Sequence, residues 1–150
     1  STLNIGRYNA VLAISADGQT LLLNGIYNRK GTMWKKRGLS VSVMQNNEWT
    51  APQRVYIRRY SRKNDGTKSS AYMSNDGSFI ILSYSRWYNS EQSNLFVVWR
   101  KDNGTWSRPH QLKQLNTQYS EDTPFLSADN KTIYFASNRT GKKNYNIYKA

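Results

Sequence analysis

Groups able to do covalent or acid–base chemistry are scarce in this chain. Its 150 residues hold nine carboxylates and one histidine, His110, against 22 lysines and arginines, and there is no cysteine. The lack of cysteine removes thiolate nucleophiles, thiolate metal ligands and disulfides together. Three carboxylates, Asp17, Asp76 and Asp129, occupy one repeated phrase, written "SADG", "SNDG" and "SADN", and Asp65 and Asp102 lie in the turn sequences "NDG" and "DNG". That leaves Glu48, Glu91, Glu121 and Asp122. Nothing there supplies two carboxylates held at the separation a glycosidase needs. His110, in "RPHQL", has no companion that would make it a general base and reads as a surface residue. No G-x-S-x-G nucleophile turn, histidine cluster or EF-hand loop occurs. The expectation is a protein that is not an enzyme and uses no metal and no cofactor.

The abundant chemistry is cationic. A formal charge of +13 calls for an acidic partner: nucleic acid, anionic lipid, acidic glycan or acidic protein. The basic residues gather in four segments. "NRKGTMWKKRG" carries Arg29, Lys30, Trp34, Lys35, Lys36 and Arg37, and "YIRRYSRKNDGTK" carries Arg58, Arg59, Arg62, Lys63 and Lys68. "SRWYNSEQS" adds Arg86 and Trp87, and "NRTGKKN" adds Arg139, Lys142 and Lys143. Tryptophan interleaved with arginine and lysine is what a stacking-plus-charge surface requires. The plainer alternative is a solvated rim whose tryptophans cover neighbouring loops. No nucleic-acid-binding motif is present, which disfavours that partner.

The elements that hold these segments are visible as a repeat. "NAVLAISADGQTLLLNG" aligns with "SSAYMSNDGSFIILSYS" and "DTPFLSADNKTIYFASN", each a short strand, a turn and a second strand. Downstream, "GLSVSVMQNNEWTAPQRV" aligns with "NLFVVWRKDNGTWSRPHQL", pairing Trp49 with Trp106, Pro52 with Pro109 and Val55 with Leu112. Two hairpins in succession make a four-stranded antiparallel sheet, and repetition of that sheet makes a β-propeller. The turn needs positive φ at its last position, which Gly18 and Gly77 provide and Asn130 tolerates, while Asp17, Asp76 and Asp129 bond the turn's own amides. Blade 1 is expected over about 9–55, blade 2 over about 69–112, and blade 3 over about 122–150, lacking its last strand. Propellers close with about 4 to 8 blades. The expectation is therefore an all-β slice of a larger ring, such as half of a six-bladed one, completed by the parent chain or by another copy. The sequence opens on neither an initiator Met nor an apolar signal core, and so reads as processed or cut from something longer. No apolar run approaches the roughly 20 residues of a membrane span; the chain reads as soluble.

The third unit, "EDTPFLSADNKTIYFASNRTGKKNYNIYKA", resembles the blade repeat of TolB-like, WD-type propellers. The resemblance covers nearly the whole chain and is strongest in this last unit. "WSRPHQLKQLNTQYSEDTP" and "YNAVLAISADGQTLLL" narrow the likeness to envelope proteins of Bacteroidota, where such propellers accompany OmpA-like domains or serve type IX secretion. It implies a periplasmic or outer-membrane-associated binding or scaffold module, and makes Glu121 a blade-entry residue. The sequence departs from the family pattern at Asn146, where aspartate is usual, and in the basic loop "TGKKN". In a propeller the loops between strands two and three share one end of the blades with the blade-to-blade connectors. The basic segments therefore fall on a single face, with Arg100, Lys101 and Lys131 opposite. The reading is a non-catalytic protein- or glycan-binding module docking an acidic protein or anionic glycan. An accessory domain of a peptide or glycan hydrolase is the alternative.

Overall fold

The computed structural model describes Leu3 and residues 10–27, 33–141 and 143–150, with the backbone path alone for residues 33–36. Three antiparallel sheets follow one another along the chain. The first holds β1 (Val11–Ile14), β2 (Thr20–Tyr27), β3 (Met33–Gln45), β4 (Glu48–Trp49) and β5 (Gln53–Val55), with β4 and β5 both paired to β3. After a one-turn helix, α1 (Tyr60–Lys63), the second sheet runs β6 (Ser69–Met73), β7 (Phe79–Tyr84), β8 (Asn94–Trp99) and β9 (His110–Gln111). The third consists of β10 (Glu121–Leu126), β11 (Ile133–Ser137) and β12 (Asn146–Lys149). They are called blades 1 to 3 below.

Each blade opens on the same turn, with the same three hydrogen bonds in every copy. The hydroxyls of Ser15, Ser74 and Ser127 donate to Asp17, Asp76 and Asp129 at 2.5, 2.7 and 2.5 Å. Each carboxylate also accepts the backbone N–H two residues on, from Gln19, Ser78 and Lys131, at 2.9, 3.0 and 3.0 Å. Each serine oxygen in turn accepts the N–H of Thr20, Phe79 or Thr132. The last turn position has φ of 70° at Gly18, 68° at Gly77 and 58° at Asn130, so asparagine occupies the left-handed conformation that glycine occupies in the first two copies.

The outer strand departs from the simple four-stranded expectation, because it is broken in two. In blade 1 the break falls between β4 and β5 at Pro52; in blade 2 a lone bridge, Arg100 to Trp106, is separated from β9 by Pro109. Proline has no N–H to give the ladder. The residue after each tryptophan compensates: Thr50 Oγ1 accepts the N–H of Val43 at 3.0 Å, and Ser107 Oγ accepts that of Trp99 at 3.0 Å. The hydroxyl side chain thus completes the ladder just ahead of the proline.

Packing is between blades. Leu22, Leu39 and Ala13 of blade 1 meet Met73, Ile80, Leu82, Phe96 and Val98 of blade 2 in one buried cluster, with Trp106 packed against it. Ile81 and Leu95, on the other face of blade 2, meet Leu126 and Phe135 of blade 3. Register makes the faces comparable. Ile81 pairs with Val97 and Ser83 with Leu95 in blade 2, as Tyr134 pairs with Lys149 and Ala136 with Ile147 in blade 3. Ile81 and Leu95 are 4% and 0% exposed, whereas their counterparts Tyr134 and Ile147 are 38% and 81% exposed. The outward face of blade 3 is built like a buried one and stands open.

Two outcomes follow in urea titrations and thermal scans. Leu82→Ala should cost about 3–4 kcal/mol, since it empties a site packed from both blades, while Ile147→Ala should change stability by less than about 0.5 kcal/mol. Asp76 is held down to about 2, chiefly by the Ser78 and Ser74 hydroxyls and the Ser78 N–H. A carboxyl depressed on folding contributes stability that is present above its ordinary value of 3.8 and lost as pH falls toward 2. Wild type should lose more stability between pH 4 and 2 than Asp76→Asn does, with the Asp17 and Asp129 turns shifting in the same direction.

Candidate functional site

Strand connectivity places the β7–β8 and β11–β12 loops and the blade 1 to blade 2 connector at one end of the blades, and the repeated turns at the other. Arg37, Arg58, Arg59, Arg62, Lys63, Lys68, Arg86 and Lys143 are exposed at the first end. Trp87 and Tyr88 stand out beside Arg86, 74% and 90% exposed. Arg29, Lys30 and Lys142 lie outside the described residues. So do the side chains of Trp34, Lys35 and Lys36, whose backbone belongs to β3. The opposite end carries Arg100, Lys101 and Lys131 together with Asp17, Glu48, Asp76, Asp102 and Asp129. Five of the nine carboxylates are thus at this end, while Asp65 and Glu91 are exposed among the basic loops.

The basic end is held in place by backbone. Asp65 and Gly66 both donate N–H bonds to the Ser85 carbonyl, at 3.0 and 3.2 Å, and Thr67 N–H donates to the Ser90 carbonyl at 2.8 Å. Asn89 N–H returns a bond to the Asp65 carbonyl at 2.8 Å. A Cβ at Gly66 would lie 2.5 Å from Ser85 Cβ and 2.8 Å from the Ser90 carbonyl oxygen, so glycine is required for this approach. The connector and the Trp87 loop therefore form one unit. Beneath them Tyr60, from α1, is 2% exposed and meets the Tyr84 ring edge-on at 5.1 Å; Tyr84 stacks on Phe96 at 4.3 Å. In the sequence this connector is a basic loop, and Tyr60 shows there only as one aromatic in a run of arginines.

The loops and the connector enclose a recess of about 210 Å³ lined by Arg59, Lys63, Tyr84, Arg86, Arg108 and Pro109. Arg59 immediately precedes α1 and Lys63 ends it, and the Arg59 carbonyl accepts the Lys63 N–H at 3.0 Å. Arg59 itself has φ 70°, a costly conformation for a residue with a side chain. The Arg86 guanidinium lies over the Phe96 ring at 4.8 Å. Burial pushes the Tyr84 phenol up from its ordinary value, with the Arg86 charge acting against it. Arg108 was not singled out in the sequence because it lies in an outer-strand segment, away from the basic loops.

Arg139 is placed differently from the other basic residues. Its guanidinium is 3.6 Å from the Glu121 carboxylate, donates to the Leu115 carbonyl at 2.7 Å, and lies over the rings of Phe135 and Tyr148 at 5.0 and 4.5 Å. Glu121 is fully buried and also accepts the Thr117 hydroxyl at 2.6 Å and N–H at 3.1 Å, and the Ser137 hydroxyl at 3.1 Å. These contacts use Arg139 inside the blade 2 to blade 3 joint. His110 is exposed, its ring 5.0 Å from that of Trp99. Among the described residues no three His, Asp or Glu side chains gather as a metal site, and no helix is long and apolar enough to cross a membrane.

No family model matches the chain, and comparison with curated proteins finds no match. Among solved structures the chain is similar to one described as "putative TolB from Agrobacterium tumefaciens", with a TM-score of 0.63 at 14% identity, over 98% of this chain and 47% of that one. The chain thus spans about half the length of the structure it matches. At that identity the likeness concerns the fold: three blades of a TolB-like β-propeller.

The buried Glu121 gives this subsection its prediction. Glu121→Ala leaves Arg139 and Thr117 without their acceptor and should lower unfolding free energy by about 3 kcal/mol, against about 1 kcal/mol for Glu121→Gln, which keeps an acceptor oxygen. Urea titration of the two variants separates these values.

Proposed function

We propose that the chain is a non-catalytic binding and scaffold segment of a bacterial envelope propeller, and that its basic end docks an acidic protein or anionic glycan. The observation that carries this reading is the imbalance of charge: eight exposed arginines and lysines crowd one end against two exposed carboxylates, Asp65 and Glu91, while Asp17, Asp76 and Asp129 are tied into turns at the other. A field of this kind steers anionic partners and weakens with salt. The exposed Trp87 and Tyr88 add flat apolar faces within it. Assignment to the periplasm or outer membrane rests on the family resemblance of the blade repeat. Further blades, from the parent chain or another copy, cover Phe125, Tyr134 and Ile147 in the assembled protein; the support is that the equivalent face of blade 2 is buried by blade 3.

Binding of heparin and of poly-glutamate, followed by calorimetry between 50 and 400 mM salt, tests the reading. Affinity for at least one polymer should fall about tenfold or more across that range. Absence of binding to both, or binding indifferent to salt, would count against it.

A further inference from the structure

The recess between the connector and blade 2 has a lining of one chemical kind. Arg59 and Lys63 come from the connector, Arg86 from the β7–β8 loop and Arg108 from the outer-strand segment of blade 2. Arginine and lysine only donate hydrogen bonds. None of the four is ion-paired among the described residues, where the one salt bridge is Arg139 to Glu121. Tyr84 supplies the remaining polar group, and its buried phenol stays protonated and able to donate. No carboxylate lines the space. Four like charges brought together repel one another, and this fold gathers them instead of spreading them along its loops.

The backbone that presents these side chains is also fixed in advance. The locked pair of loops holds the two elements together through Gly66 and Ser85. Arg86 is seated on Phe96, and Arg59 keeps a left-handed backbone whose carbonyl accepts the Lys63 N–H at 3.0 Å. A fixed backbone and a seated Arg86 reduce the ordering that binding an anion would otherwise cost. The volume of about 210 Å³ suits one small oxyanion group and not a chain of residues.

Resting on the reading that this end binds an acidic partner, we propose that the recess is an oxyanion site for the sulfate or phosphate ester of an anionic glycan. A tetrahedral ester presents three oxygens, which suits three arginine forks and an ammonium better than the two oxygens of a single side-chain carboxylate. Beside Arg86, Trp87 and Tyr88 offer exposed rings on which the sugar attached to that ester can lie. Glycan is chosen over acidic protein on these two grounds, oxygen count and adjacent aromatic faces.

The test compares a heparin-derived tetrasaccharide, its desulfated counterpart, a phosphorylated disaccharide and poly-glutamate, by calorimetry at one fixed ionic strength. The proteins are wild type, Lys63→Gln/Arg108→Gln, and Lys101→Gln/Lys131→Gln, which makes the same charge change at the opposite end. All the substituted side chains are exposed, and circular dichroism confirms that each variant is folded. Wild type should bind the sulfated or phosphorylated probe, with the desulfated one weaker by about tenfold or more, and the recess variant should lose about tenfold while the control loses less than about twofold. Equal losses in both variants would mean a diffuse field and would overturn the site while leaving the proposed function standing. So would tighter binding of poly-glutamate than of either ester, with the same loss in the recess variant, since the site would then serve acidic protein. Failure of wild type to bind any of the four probes would remove both the site and the function it rests on.

Discussion

Every sheet in this protein has two apolar faces, and that constraint shapes the rest. A strand such as β7, Phe79–Tyr84, is buried at five of its six positions, with Ile80 and Leu82 turned to blade 1 and Ile81 to blade 3. A sheet of that kind cannot be stable with water on either side. The blades are accordingly stacked, and the two inter-blade clusters hold the core between sheets where a sandwich or a barrel would enclose it. The open side of blade 3 is the same constraint left unmet within this chain: Tyr134 and Ile147 occupy positions that blade 2 buries.

Stacking has a polar cost that the structure meets at fixed places. The joint between blades 2 and 3 runs over strand ends whose backbone groups need partners. Glu121 sits there fully buried, gathering Thr117, Ser137 and Arg139, while its own carbonyl accepts the hydroxyls of Ser83 and Ser93 at 2.9 Å each. Arg139 is consequently part of the joint, though its place in a basic loop suggested a surface role. At the other end of the blades the Ser-x-Asp turns solve the same problem locally. These two devices commit Asp17, Asp76, Asp129 and Glu121, and leave Asp65 and Glu91 as the exposed carboxylates among the basic loops.

The fold is largely legible in the sequence. The three copies of the turn phrase, the aligned tryptophans and prolines, and the substitution of Asn130 for glycine all follow from local backbone rules, which neighbouring residues along the chain can express. The split outer strand was half visible. Pro52 and Pro109 were noted, but Thr50 and Ser107, whose hydroxyls stand in for ladder bonds, were hidden inside an ordinary polar stretch. Sorting the basic loops to one end also came from connectivity alone, since antiparallel strands alternate ends.

What the sequence determined by itself was periodic: strands, turns, register and the sign of the charge, each set by residues close in the chain. Tertiary structure decided which cations are free and which are committed. Arg139 and Arg59 look alike in sequence, each in a basic, polar segment, yet one faces a buried carboxylate and the other an unpaired recess. Arg108 joins that recess from the segment just ahead of β9, more than forty residues beyond Arg59. Electrostatic partnership depends on distance through space, so no local pattern encodes it, and packing of the connector against blade 2 brings it about.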